Sequence, residues 1–155
     1  MSEEQRSERE YAGWLRRVAA ITIDWLLITA IYVPVMAIVG VIAYGNFVAL
    51  VIASWVALLT VAGLYSVLTM IRPGERNGQT FGKQILDIRV ARQDGKPVDA
   101  GYALVREVAF KCLLFGVGGA LLLGLPALAD QLWPLWDRER RALHDILARS
   151  WVVPA

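Results

Sequence analysis

Cysteine, histidine and charge are all scarce in this chain, and each scarcity removes a class of function. Cys112 stands alone, so no intrachain disulfide can form, and its place beside an apolar run suits ordinary packing. His144 is the single histidine; with no other His or Cys at ligand spacing it makes a poor metal site, and nothing supports a pH-sensing role. Bases and acids are interleaved and nearly balanced at a net charge of +2, which excludes the unbroken basic face that nucleic acid requires. No nucleophile has a plausible base, and no cofactor loop is present, so neither an enzymatic activity nor a cofactor is expected. The segment GQTFGK resembles a phosphate-binding loop only superficially. Its Gly78 to Gly82 spacing is one residue short, and Gln84 stands where Ser or Thr would meet the metal.

What the chain has in abundance is apolar sequence, at 57% of 155 residues, too much for an ordinary soluble domain of this length. Between Val18 and Ile71 the single charged side chain is Asp24. Val18 to Gly40 would extend roughly 34 Å as a helix, enough to cross a hydrocarbon layer of about 30 Å with some tilt. The long polar lead before it and the lack of a small-residue cleavage site fit a retained helix better than a secretory signal. After Tyr44-Gly45-Asn46, Phe47 to Ile71 is again long enough to span, and Arg72-Pro73-Gly74 stops it. Arg6, Arg9, Arg16 and Arg17 precede the first helix, and Arg72, Arg76 and Lys83 follow the second, while the connection carries no base. The positive-inside rule therefore places both flanks, and the N-terminus, in the cytoplasm, with the turn outside.

The third apolar segment, Cys112 to Ala129, barely reaches spanning length and is interrupted by Gly116, Gly118, Gly119 and Pro126. A single crossing would also strand Arg138, Arg140 and Arg141 outside, so a broken helical pair that enters and leaves on the cytoplasmic side is preferred. Between the second and third segments, Leu86-Asp87-Ile88-Arg89-Val90 alternates as a strand does, and Asp94-Gly95 turns toward Pro97-Val98. A small hairpin is expected there, with Trp151-Val152-Val153 as a possible third strand. Gly78 and Gly82 are expected to let a turn lie close under the membrane, with Lys83 facing anionic headgroups. Trp14, Trp133 and Trp136 read as interfacial belt residues. The expected fold class is thus an all-α membrane protein: two transmembrane helices, a Gly-broken third segment that is re-entrant or a short helical pair, and a small cytoplasmic β-hairpin. No repeat or linker marks a second domain within 1–155.

Three ordered motifs, YAGWLRRVAAITIDWLL, GQTFGKQILDIRVARQDGKPV and RRALHDILARSWVV, closely resemble the RDD family of bacterial membrane proteins, from Tyr11 to Val153. That family is named for one Arg and two Asp residues, and the resemblance implies that these are Arg17, Asp24 and Asp145. It also implies a bacterial plasma membrane location and a role in transport, since a relative has been assigned cation/proton antiport. One departure is Arg149-Ser150, where many relatives have Gly-Thr, and it bears on the local turn.

Asp24 lies about two turns inside the first span, where an ionised carboxylate costs several kcal/mol without a partner, water or a proton. Arg17 is seven residues earlier, about 10 Å along the axis, too far for a contact pair within one helix. Arg17 is expected to snorkel to the headgroups, and Asp24 to draw on Lys111 or Arg106, or else to bond to Thr22 or a nearby Tyr. Asp145 stands four residues after Arg141, spacing for a weak intrahelical ion pair; the sharper alternative has Asp145, with Arg140 or Arg141 and beside His144, complete a charged cluster with Arg17.

Two functions remain open. As a transporter, the protein would move a monovalent cation or proton past Asp24, in a homo-oligomer packed through Ala53, Ser54, Ala57 and Gly63 of the second helix. As an accessory subunit, it would use the same surfaces to join a larger membrane complex, with the hairpin as docking edge.

Overall fold

The computed structural model describes residues 10–42 and 45–155. Arg6, Arg9 and the rest of the polar lead through residue 9 lie outside the described residues, as does Tyr44 of the expected outer turn. Two long apolar helices dominate: α1, Trp14–Ile42, and α2, Phe47–Met70. Asn46 starts α2 by accepting a hydrogen bond from the Ala49 N–H at 3.0 Å, a side-chain cap on an otherwise uncharged terminus. Both helices are long and apolar enough to cross a membrane, and only 6% and 11% of their most apolar windows are buried. Leu26, Ile38, Val41, Ile52, Leu64 and Leu68 all remain exposed, an apolar surface that water would not tolerate and lipid would.

The well-buried apolar core lies at one end of this pair. Ala12 and Ala20 of the α1 region, Met70 at the end of α2, Ile88, Val90, Val98, Ala103 and Val152 pack into one cluster. Beneath it runs a two-stranded antiparallel sheet, β1 (Ile88–Arg92) against β2 (Ser150–Pro154), in a register that sets Val90 opposite Val152. Ala12 N–H also donates to the Val152 carbonyl at 2.9 Å.

The expected strand over Leu86–Val90 forms two residues later, at Ile88–Arg92, because Leu86 closes the preceding helical turn and Asp87 has φ of +50°. The turn before Gly95 forms, but the local hairpin does not. Pro97 has no N–H to offer a ladder, and Val98 instead gives its N–H and carbonyl to the Asn77 amide at 2.7 and 2.9 Å. The partner of β1 is the distant C-terminal strand, so Trp151-Val152-Val153 is the second strand and not a third.

A short helix, α3 (Phe81–Ile85), is pressed directly onto α1. Arg72 helps to hold it: the guanidinium donates to the Thr69 and Gln79 carbonyls and to Gln84, and lies 4.7 Å from the Phe81 ring centre. Two glycines permit the fit. A Cβ on Gly78, at φ +78°, would meet the Val90 carbonyl oxygen at 2.2 Å, and one on Gly82 would meet the Ala20 carbonyl oxygen at the same distance. Both were expected to let a turn lie close under the membrane; what they approach is the protein's own backbone, and Lys83 does not face headgroups, because α3 turns it inward, where it is 6% exposed.

The third apolar segment begins earlier than its composition suggests. After α4 (Ala100–Ala103), a wide, π-type helix runs from Leu104 to Val117, where the Gly118 N–H reaches back five residues to the Leu113 carbonyl. It continues into α5 (Gly118–Leu121) and reverses at Leu123 and Gly124, both with positive φ, before α6 (Leu125–Leu132). Pro126 sits in the first turn of α6, where proline is tolerated, so it starts a helix and does not break one. Gly63 of α2 is occupied within the chain, since a Cβ there would come within 3.2 Å of Val108. The short α7 (Leu143–Leu147) then leads into β2.

Candidate functional site

Two buried polar centres lie where α1 enters this layer. The first surrounds Asp24, which is 8% exposed. Its Oδ1 accepts from the Tyr65 hydroxyl at 2.6 Å and the Gly82 N–H at 2.8 Å, and its Oδ2 accepts from the Thr80 hydroxyl at 2.6 Å. Thr80 is at once the cap of α3, accepting from the Lys83 N–H at 3.3 Å, and a donor to Asp24. One carboxylate thereby ties α1, α2 and α3 together using neutral donors. Neither expected base reaches it: Arg106 and Lys111 are engaged elsewhere, and Thr22 donates to its own helix at Val18. A nearby Tyr was among the expected partners, and Tyr65 of α2 supplies that contact.

The second centre is built on Asp145, 1% exposed. Arg17 Nη2 donates to its Oδ2 at 2.7 Å, and the Ala142 N–H donates to the same oxygen at 3.1 Å, as a residue in the first turn of a helix commonly accepts. Arg106 forms a short ion pair with Oδ1, to which Ser150 Oγ also donates at 3.3 Å. Arg106 further pairs with Glu107, whose other oxygen receives Lys111 at 3.0 Å. His144 joins from the side: its ring contacts Arg106 at 3.2 Å through Nε2 and Asp130 at 2.7 Å through Nδ1, while its backbone N–H donates to Asp130 at 2.9 Å.

The structure thus brings Arg17, Asp145, Arg106 and His144 together, and leaves Asp24 in a separate pocket. Arg17 is buried and paired instead of snorkelling. Arg141 does not pair with Asp145, because α7 starts only at Leu143 and the i,i+4 geometry never forms; it binds Asp137 and Glu139. Arg140 is exposed and stands away from the cluster near Gly13. Of the expected belt residues, Trp133 and Trp136 are exposed, whereas Trp14 is tied to the Gln131 carbonyl at 2.9 Å.

Thr80, Glu107, Asp130 and Ser150 escaped the sequence reading as site residues, Gly82 was read only as a close turn, and Tyr65 was covered only by the expectation of a nearby Tyr. Asp130 had a signal, the first acid after an apolar segment, as did Glu107 beside Arg106.

Electrostatically the two centres differ. Burial opposes ionisation of Asp145, but Arg17 and Arg106 outweigh it and hold the carboxyl well below its usual range. Glu107 is likewise held low, with Lys111 and Arg106 overcoming burial. Lys83 runs the other way: burial pushes its ammonium down to about 8, Glu107 pulls upward, and the cations Lys111 and Arg106 push further down.

No curated protein and no solved structure matches this chain. The model of the RDD family matches residues 11–149. With that match over nearly the whole sequence and two apolar helices that point to a membrane protein, the chain belongs to the RDD family.

Proposed function

We propose that this chain exchanges protons for a small monovalent cation across the bacterial plasma membrane, with Asp24 as the group that binds and releases the proton. In this reading α1 and α2 span the bilayer with both termini cytoplasmic. The segment from Leu104 to Leu132 enters and leaves on that same side, since Arg106 near its start and Asp130 near its end both contact His144. No reaction on a substrate is required of it.

The observation that carries the reading is the shell of Asp24: a buried carboxylate within an apolar helix, held by two hydroxyls and one N–H, with no cation among the described residues in direct contact. Hydroxyls accept as well as donate. A protonated Oδ2 can donate a hydrogen bond to Thr80 Oγ while Oδ1 keeps its bonds to Tyr65 and Gly82, so the hydrogen bonding of the pocket accommodates both forms. The same hydroxyl and carboxylate oxygens are the donor type that hard cations prefer. Two spanning helices enclose little space, so the transport path is assigned to a homo-oligomer, packed through Ala53, Ser54 and Ala57 of α2 and surrounded by lipid.

The test is proton movement in liposomes containing the purified protein, pulsed with sodium, potassium or lithium. The wild type should respond, and Asp24→Asn should lose at least tenfold of the flux while keeping the same elution volume in detergent. Silence from well-folded wild-type protein overturns the reading and favours the accessory subunit, in which the three donors to Asp24 serve only to lock the helices together.

A further inference from the structure

Between α1, α3, Leu104–Val117 and α7, beside the Asp145 centre, lies a cavity of about 30 Å³. Four cationic side chains, Arg17, Lys83, Arg106 and Lys111, line it; Asp145 is the one carboxylate among its lining residues. Hydrogen-bond capacity around it is unevenly used. Both oxygens of Asp145 are taken, Oδ2 by Arg17 and Ala142 and Oδ1 by Arg106 and Ser150. Glu107 is shared between Arg106 and Lys111, Asp130 is committed to His144, and Asp24 to its own three donors.

The donors are what is left over. Arg17 Nε is buried with no partner, and the Lys83 ammonium makes no direct hydrogen bond or ion pair with any described residue, although Lys83 is 6% exposed. Each leftover donor belongs to a cation, and both cations line the same space. A buried donor without an acceptor costs about 1–3 kcal/mol, more when it is charged. A water molecule would accept from both, yet it would leave the charge uncompensated and would have to place its own protons among donors.

We propose that this cavity binds a small inorganic anion of halide size, held by the Lys83 ammonium and the Arg17 Nε–H. Its volume admits two or three waters at most, which suits a monatomic anion. The bound anion gives the Lys83 ammonium a counter-charge in direct contact, which Glu107 and Asp24 supply only from a distance, and it fastens α3 to α1. The site stands apart from the proton-binding carboxylate, so it holds or fails independently of the transport reading.

The experiment is thermal unfolding of the full-length protein in detergent, with sodium chloride or bromide replacing sodium gluconate at constant ionic strength. The wild type should gain stability saturably, by about 4 °C when halide reaches tenfold excess over its Kd. Lys83→Met, which keeps the buried stem and removes the charge, should lose that halide response, and Lys96→Met at an exposed site should retain it. Bromide-soaked crystals of the wild type provide a second measurement, with an anomalous peak expected between Lys83 and Arg17. A wild type indifferent to halide, an equal response in Lys83→Met, or an empty cavity in the bromide map would each overturn the proposal.

Discussion

Asp24 and Asp145 are the same side chain in the same layer, both buried, and they are satisfied by opposite means. Asp24 receives two hydroxyls and a backbone N–H; Asp145 receives two guanidinium groups in addition to a backbone N–H and a serine. Neutral donors leave a carboxylate free to change protonation, because a hydroxyl can reverse its role at little cost. Paired guanidiniums do not, because protonating the acid takes a counter-charge away from two buried cations. The first arrangement suits a group that moves a proton, the second a group that must stay charged and hold three parts of the chain in register. Burial alone does not separate them; the identity of the donors does.

The sharpest way to break this comparison is to neutralise each acid in turn. Asp145→Asn should cost about 3–5 kcal/mol, because Arg17 is left buried without a counter-charge and Arg106 keeps only Glu107, which it shares with Lys111. Asp24→Asn keeps an acceptor oxygen for at least two of its donors and should cost only about 1–2 kcal/mol. Thermal unfolding in detergent, run on both variants beside the wild type, checks the difference. Equal losses would mean that both acids serve the same structural purpose, and the distinction between them would fall. Acidification follows the same logic. The native carboxyl of Asp145 titrates below the unfolded one, so its contribution is complete above about pH 4 and is lost as pH falls toward the depressed native value.

A second variant attacks the Asp24 side alone. Gly82→Ala would place a methyl group 2.2 Å from the Ala20 carbonyl oxygen and 2.8 Å from Asp24 Oδ1, so α3 must lift off α1. The overpacking should cost about 2–3 kcal/mol and, on the transport reading, the flux of the Asp24 pocket with it. The Arg17–Asp145 ion pair lies across a different part of α1 and should persist. Unfolding midpoints and liposome flux, measured together, read the two effects separately.

How far these centres were legible in the sequence follows from what makes them. The two apolar helices announce themselves by length and by the lack of charge from Val18 to Ile71, and Asp24 by being the exception. The strand at Ile88 and the C-terminal strand show by alternation and β-branching, but their pairing joins positions more than fifty residues apart, and nothing local encodes it. Arg17 and Asp145 meet over a still longer separation; the family resemblance and the sharper alternative for Asp145 placed them in one set, but with Arg140 or Arg141 where the structure has Arg106. For Asp24 the expected partners were Lys111 or Arg106, because ionic attraction is the obvious remedy for a buried acid, with Thr22 or a nearby Tyr as the alternative. The actual remedy combines a tyrosine, a threonine and a glycine N–H, residue types whose role depends on the fold and not on their own charge. Lys83 misled for the same reason: a lysine beside two glycines reads as a surface residue until the close approach of α3 to α1 turns it inward.

The smallest expected effect sharpens the Asp145 side. Ser150, which donates to Asp145 and accepts from Arg106 Nε at 3.3 Å, is presented by a turn whose preceding residue, Arg149, has φ of +51°. A residue with a Cβ pays roughly 1–2 kcal/mol in that left-handed conformation, and a glycine there would avoid it while losing more backbone entropy on folding, about 0.5–1 kcal/mol. The Arg149 side chain is exposed, and its backbone bonds, N–H to the Ile146 carbonyl and carbonyl to the Gln93 N–H, need no side chain. Arg149→Gly should therefore stabilise the protein by about 0.5–1 kcal/mol, read as a small rise in the unfolding midpoint. Combined with Asp145→Asn, the gain from Arg149→Gly should survive undiminished if it comes from the backbone alone. A gain that disappears in the double variant would show instead that the turn acts through the seating of Ser150 against the Asp145 carboxylate, and that the cluster reaches as far as the sheet.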